Sequence, residues 1–225
     1  NNTIQLGNSN VTLVQTSGTI SATAFVGDGS GLIGINTSMS SSTHLDSNNT
    51  VAIGGVVSAT NSVAVGKDAL ANNTSGADNT AVGYESLSSN TTGSRNTANG
   101  LTTLYSNTTG GNNTASGYYA LHSNSTGDNN TAYGSATLSS NNSGIENTAI
   151  GYTALYYNTT GNRNTANGNS ALENNTTGSD NTATGNDALY SNTTGASNTA
   201  NGYQALFSNT TSGENTANGY QALYS

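Results

Sequence analysis

Glycine returns every 17 residues through most of this chain, at Gly66, Gly83, Gly100, Gly117, Gly134, Gly151, Gly168, Gly185, Gly202 and Gly219. Leucine keeps the same step, at Leu70, Leu87, Leu104, Leu121, Leu138, Leu155, Leu172, Leu189, Leu206 and Leu223. The unit reads N-T-A-x-G-x-x-A-L-x-S-N-T-T-G-x-x, with Asn79 at position 1 of a typical copy. Nine full copies fill 62–214, and a tenth breaks off at Ser225. Helical hairpin repeats need about 33 residues or more, so a 17-residue period excludes them. Each unit carries two short stretches, N-T-A-x-G and x-x-A-L-x, and a turn signal at N-T-T-G. Asn, Thr and Gly supply side-chain-bonded turns and positive φ. Two short strands and two turns per unit predict one coil of a parallel β-solenoid. At about 4.8 Å per coil, ten coils would make a rod of roughly 48 Å. Identical side chains then stack, and the Asn columns at positions 1 (Asn79, Asn96, Asn113) and 12 (Asn90, Asn107, Asn124) are expected to form amide ladders.

Composition agrees with a repeat architecture and argues against an ordinary globular core. Leu, Ile, Val and Phe number 33 of 225 residues, about 15%, below the level at which a conventional core becomes feasible. Charge-driven disorder is not expected either, since only 6% of residues are charged and the net charge is −8. The chain has no Cys, which removes disulfides, thiolate metal sites and a cysteine nucleophile. Its three basic residues, Lys67, Arg95 and Arg163, cannot make a phosphate-binding surface, so no nucleic-acid partner is expected. No apolar run approaches the roughly 20 residues of a helical membrane span. The chain opens on Asn1 without a signal-peptide pattern, and the expectation is a mature or trimmed segment.

Burial per coil is thin. One Leu contributes only about 1.5–3 kcal/mol, against roughly 1 kcal/mol or more of backbone entropy for each ordered residue. Lateral association of several chains would help, and the expectation is a homotrimer, intertwined or packed side by side, with the Leu70-to-Leu223 row facing a shared axis. Residues 1–36 read as a separate β-rich, trimerising segment, with apolar runs at 11–14 and 20–26. Residues 37–48 read as a polar connector. Shorter, richer coils begin at Asn49, with 12 residues between Gly54 and Gly66, so that 37–61 leads into the array of 62–225.

The hexads Asn-Thr-Val-Ala-Ile-Gly at 49–54 and Asn-Ser-Val-Ala-Val-Gly at 61–66 resemble head repeats of YadA-type trimeric autotransporter adhesins. That resemblance implies a left-handed parallel β-roll wound as a tight trimer. The segment Ala-Phe-Val-Gly-Asp-Gly-Ser-Gly-Leu-Ile-Gly-Ile-Asn at 24–36 resembles a motif of bacteriophage tail fibres. The 17-residue units are similar to arrays in both groups, though longer than the adhesin pattern and variable at position 4.

No catalytic or cofactor site emerges. His44 and His122 lie far apart in sequence, and His122 stands at position 10, where other units carry Tyr105, Tyr156, Tyr190 and Tyr224. Asp68 and Glu85 share position 7 of adjacent units, a separation near about 5 Å that suits a retaining glycosidase, but both read as exposed beside Lys67. Acidic residues are too sporadic for a calcium-binding repeat. Position 17 stacks Asp78 beside Arg95, and Arg163 between Glu146 and Asp180, which predicts exposed ion pairs that favour register more than stability. The N-x-S/T run at position 12, from Asn73 to Asn209, reads as turn chemistry rather than glycosylation. Tyrosine is the most suggestive surface feature: Tyr84, Tyr118, Tyr152, Tyr203 and Tyr220 at position 6 could stack on sugar rings or cover coil edges and subunit contacts.

The sequence therefore points to a non-enzymatic structural protein: the shaft of a trimeric, extracellular fibre that presents a receptor-binding tip for host attachment, as in a phage tail fibre. A bacterial surface adhesin that binds matrix or glycan along its side is the alternative. A glycan hydrolase or an ice-binding solenoid, the latter suggested by the Thr column at position 2, follows at a distance.

Overall fold

In the computed structural model, the described residues are Thr43–Leu45 and Val51–Ile53, as backbone, and 61–225; all fall in one compact unit, Met39–Ser225. The expectations for 1–36 and for most of 37–61 lie outside the described residues. Within the connector, Thr43–Leu45 forms a strand.

Among the described residues, twelve three-residue strands make one sheet in which spatial order follows chain order. They are β1 (Thr43–Leu45), β2 (Val51–Ile53), β3 (Val63–Val65), β4 (Thr80–Val82), β5 (Thr97–Asn99), β6 (Thr114–Ser116), β7 (Thr131–Tyr133), β8 (Thr148–Ile150), β9 (Thr165–Asn167), β10 (Thr182–Thr184), β11 (Thr199–Asn201) and β12 (Thr216–Asn218). β1 pairs antiparallel with β2, and every later pair is parallel. Ala52 faces Ala64 across a 12-residue step, and Ala81 faces Ala98 across the regular 17. The array is an all-β parallel solenoid of about nine turns.

Only the N-T-A-x-G stretch of each unit is a strand. The second predicted strand, x-x-A-L-x, is instead a run of turns whose residues alternate in handedness. Position 7 and position 9 both take positive φ, as at Glu85 (52°) and Leu87 (51°), and so does position 17, as at Arg95 (59°). A left-handed L-residue costs roughly 1–2 kcal/mol. The alternation compensates by aiming successive amides at opposite neighbours. Glu85 N–H donates back to the Lys67 carbonyl at 2.9 Å, while Leu87 N–H donates forward to the Thr103 carbonyl at 3.0 Å. Coil-to-coil pairing therefore continues where strand geometry stops.

The core contains an apolar cluster, Ala at position 3 and Leu at position 9 with the position-8 residue, together with the two buried Asn rows. Leu70 through Leu189 are fully buried within the single chain, as are the Ala residues of the strands up to Ala200. This corrects the shared-axis placement of the leucine row: its side chains point into their own coil and offer nothing to another chain. Only Leu223, in the last coil, is exposed.

The Asn ladders form as the columns predict. Asn107 Nδ2 donates to Asn90 Oδ1 at 2.7 Å and to the Gly110 carbonyl at 2.9 Å. Asn96 Nδ2 reaches the same Gly110 carbonyl at 2.9 Å, and Asn96 N–H donates to Asn79 Oδ1 at 2.9 Å. Both rows thus converge on the carbonyl of the position-15 glycine. A Cβ there would meet backbone: at Gly110 it would lie against the Gly127 carbonyl oxygen and Asn107 Oδ1. Ser212 is the exception, taking this position in the ninth full unit. Among the described residues, no buried side-chain nitrogen or oxygen lacks a hydrogen-bond partner.

Candidate functional site

The interior rows are nearly uniform, apart from Ser86, Thr103 and Thr137 among the alanines of position 8, and chemical variety is greatest at positions 4, 6, 7, 10, 11, 16 and 17. The coil rise brings like positions about 5 Å apart along each row.

The five position-6 tyrosines, Tyr84, Tyr118, Tyr152, Tyr203 and Tyr220, all lie on one exposed face. The fold does not join them into a continuous aromatic strip, because Leu101, Ser135, Asn169 and Asn186 intervene. Tyr203 and Tyr220 stack on each other, with centroids 5.2 Å apart and planes within 11°. Tyr118 tilts onto Tyr119 at 4.3 Å, and the Lys67 ammonium sits 5.3 Å from the Tyr84 centroid. Their faces are thus partly engaged within the chain, which reduces what a sugar ring could stack on; Tyr152, 58% exposed, has no aromatic neighbour among the described contacts.

Position 10 carries a second aromatic row. Tyr190, Phe207 and Tyr224 form a three-ring stack at 5.2 and 5.0 Å. His122 is sandwiched between Tyr105 at 5.3 Å and Tyr119 at 4.5 Å, both rings within 8° of parallel. Burial of this half-covered imidazole lowers its pKa below the ordinary value.

The charged residues are spread thinly. Lys67 donates to Asp68 at 2.7 Å, and Glu85 lies beside Tyr84, whose hydroxyl pKa it raises through a hydrogen bond and its charge. Asp68 and Glu85 therefore each have a neighbour other than one another. Arg163 grips Asp180 with two bonds, at 2.7 and 3.0 Å, as the column predicts. Arg95 departs from expectation: its Nε donates to Asn112 Oδ1 at 2.7 Å, forward along the column rather than back to Asp78. Among the described residues, no three or more of His, Cys, Asp and Glu gather as a metal site would require, and no helix is long and apolar enough to cross a membrane.

An open groove of about 590 Å³ runs along positions 11 and 13, between Ser140, Tyr157 and Asn174 on one wall and Thr159, Thr176 and Thr193 on the other. The Thr hydroxyls already donate into the next coil, as from Thr159 Oγ1 to the Thr176 carbonyl at 3.0 Å.

Two features escaped the sequence reading. At position 16, a backbone N–H is taken by the side chain one coil on: Ala77 by Ser94 Oγ, Gly111 by Asp128 Oδ1, Ile145 by Asn162 Oδ1. The signal was an alternation of residues without and with an acceptor from Ala77 to Asn162, after which Ser179 Oγ takes the Asn162 N–H in turn. The second is an apolar stripe at positions 4 and 6, visible only when the two columns are read side by side.

A scan against protein-family models, a search of curated proteins and a search of solved structures each return no match.

Proposed function

We propose that residues 62–225 act as the shaft of an extracellular homotrimeric fibre, a stiff spacer holding a receptor- or glycan-binding tip away from a virion or cell, as the likeness to tail-fibre repeats implies. One observation carries this reading: the asparagine ladders run unbroken from Asn73 to Asn209 and from Asn79 to Asn215, alongside coil-to-coil backbone bonds. A rod built this way resists bending because each coil is tied to the next at several points around its circumference. Repetition also lets length change by whole coils without redesign of the interior.

The test is to duplicate units 113–163 and measure particle length by electron microscopy and small-angle scattering. Three added coils should lengthen the array by about 14 Å at unchanged cross-section. The proteolytic stability of the array should not fall. A particle that grows in width, or one that becomes protease-sensitive, would overturn the shaft reading.

A further inference from the structure

Positions 4 and 6 flank the glycine corner, and over five successive coils they carry exposed apolar or aromatic residues. Val82, Leu101, Tyr118, Tyr133, Ile150 and Tyr152 are between 36% and 58% exposed. In the following coils position 4 holds Asn167, Thr184, Asn201 and Asn218, and position 6 holds Asn169 and Asn186 before returning to Tyr203 and Tyr220. The chain thus has one outer face that is continuously apolar or aromatic from Val82 to Tyr152, polar over the next two coils, and mixed amide and tyrosine in the last two. A contiguous exposed strip of this kind marks an interaction surface.

We infer that this face docks a second copy of the same chain, parallel and in register, and so forms the lateral contact within the fibre; the inference rests on the shaft reading for its context. Three observations favour that occupant. First, the leucine row is consumed inside each coil, so any lateral contact must use an outer row. Second, the charged column at position 17 argues against its own face. In-register apposition there would set Asp78, Arg95, Glu146 and Glu214 each against its like, which is unfavourable. From Leu101 onward, positions 4 and 6 carry no charge, and identical residues can meet there without repulsion. The nearest charges at the stripe's start are neutralised or engaged, Lys67 by Asp68 and Glu85 by Tyr84. Third, a copy has the same coil rise, so rows stay aligned over the full length. Parallel register brings apolar against apolar from Val82 to Tyr152 and amide against amide at Asn167, Asn201 and Asn218. An antiparallel arrangement centred on the stripe would set the Asn167 coil against the Lys67 coil and leave those of Asn201 and Asn218 overhanging.

The test uses the full chain and the absence of native cysteine. Ile150→Cys, treated with diamide, should cross-link to itself in a dilute solution, whereas Thr126→Cys, on the exposed N-S-T turn, should not. Light scattering should give two or three times the single-chain mass. The quadruple variant Val82→Asn, Leu101→Asn, Tyr133→Asn and Ile150→Asn should fall to the mass of one chain with its β spectrum retained, because later coils carry Asn at these positions in the same fold. A monomeric natural chain would overturn the inference, and so would an oligomer that survives the quadruple change. An oligomer in which Ile150→Cys pairs only with Val82→Cys would overturn it in favour of the antiparallel arrangement. Should the quadruple variant fail to fold, the cysteine pair still decides. A monomer that lengthens with added coils would sink this interface and the trimer with it and leave only the stiff spacer standing, while an oligomer that does not lengthen would sink the spacer and leave the interface.

Discussion

Two rows of buried asparagine and one row of buried leucine run the length of the same core, and they hold it in different ways. The leucine side works by area: each side chain is removed from water and contributes about 1.5–3 kcal/mol, with little preference for how its neighbours are placed. The asparagine side works by direction. Asn124 Nδ2 donates to Asn107 Oδ1 at 2.9 Å and to the Gly127 carbonyl at 3.0 Å, while its own Oδ1 accepts from Asn141 Nδ2 at 2.7 Å. Each such bond adds only about 1 kcal/mol net, yet a buried amide left unpaired costs about 1–3 kcal/mol. Cohesion therefore resides mainly on the aliphatic side and register mainly on the amide side.

The harshest way to break that arrangement is to fill the space where the two amide rows converge. In Gly127→Ala the new Cβ would lie against Asn124 Oδ1 and the Gly144 carbonyl oxygen, the second of which is backbone and cannot swing aside. Overpacking together with a disturbed amide bond should cost about 4 kcal/mol in urea unfolding. Ser212→Gly, at the one full unit where position 15 already carries a Cβ, should be close to neutral. Equal losses at both sites would mean the glycine column reflects turn conformation rather than close approach.

A paired substitution sharpens the contrast between the two sides. Leu121→Ala removes buried area and leaves a cavity, so it should cost about 3 kcal/mol. Asn124→Leu keeps the branched outline but deprives Asn107 Oδ1 and Asn141 Nδ2 of a partner and adds bulk, and should cost about 2 kcal/mol. If Asn124→Leu instead raised the unfolding midpoint, the amide row would be filler and the assignment of register to it would fail.

The same division explains how far the sequence could be read. The period, the amide ladders and the parallel stacking were legible because a buried, directional interaction admits almost no substitution, so columns such as Asn96, Asn113 and Asn130 scarcely vary. The x-x-A-L-x stretch was misread as a strand because apolar spacing alone does not separate a strand from a chain of turns. Leu87 and Leu104 at φ near 50° run against every local preference of leucine, and only the hydrogen bonds to both neighbouring coils make that conformation tenable. Placing the leucine row on a shared axis followed from treating one coil as too thin to bury it. Stacked coils bury it completely, since each Leu is covered from above and below. On the outer face, positions 4 and 6 vary freely, and the meaning of Val82 or Ile150 emerges only when neighbouring rows are set beside each other.

Outside the core the effects become smaller and pH-dependent. His122 is sandwiched between Tyr105 and Tyr119, and burial lowers its pKa below the unfolded value of about 6.5. The unfolded chain therefore takes up this proton first as pH falls. Stability should be lost as pH drops from above 6.5 to below the folded pKa, and should change no further from this group beneath it. His122→Tyr places in this coil the residue that coils at Tyr105, Tyr156 and Tyr190 already carry. Melting curves between about pH 7.5 and 5 should show a drop for the natural chain that the variant lacks. An identical drop in both would mean that another group is titrating.

The smallest effect belongs to the most conspicuous charged pair. Arg163 and Asp180 meet through two bonds on the coil surface, with side chains roughly half exposed. The guanidinium holds the Asp180 carboxyl below its usual value, first by its hydrogen bond. Any stability from this shift is present above the unfolded carboxylate pKa and is lost as pH falls through the folded one. Water and salt screen such a pair, and both side chains give up freedom to hold it. Arg163→Gln should therefore leave the melting temperature at neutral pH and moderate salt unchanged, with a difference emerging only at low ionic strength and vanishing in acid. A large loss at neutral pH would mean that this column helps to fix register, a role otherwise assigned to the buried asparagines.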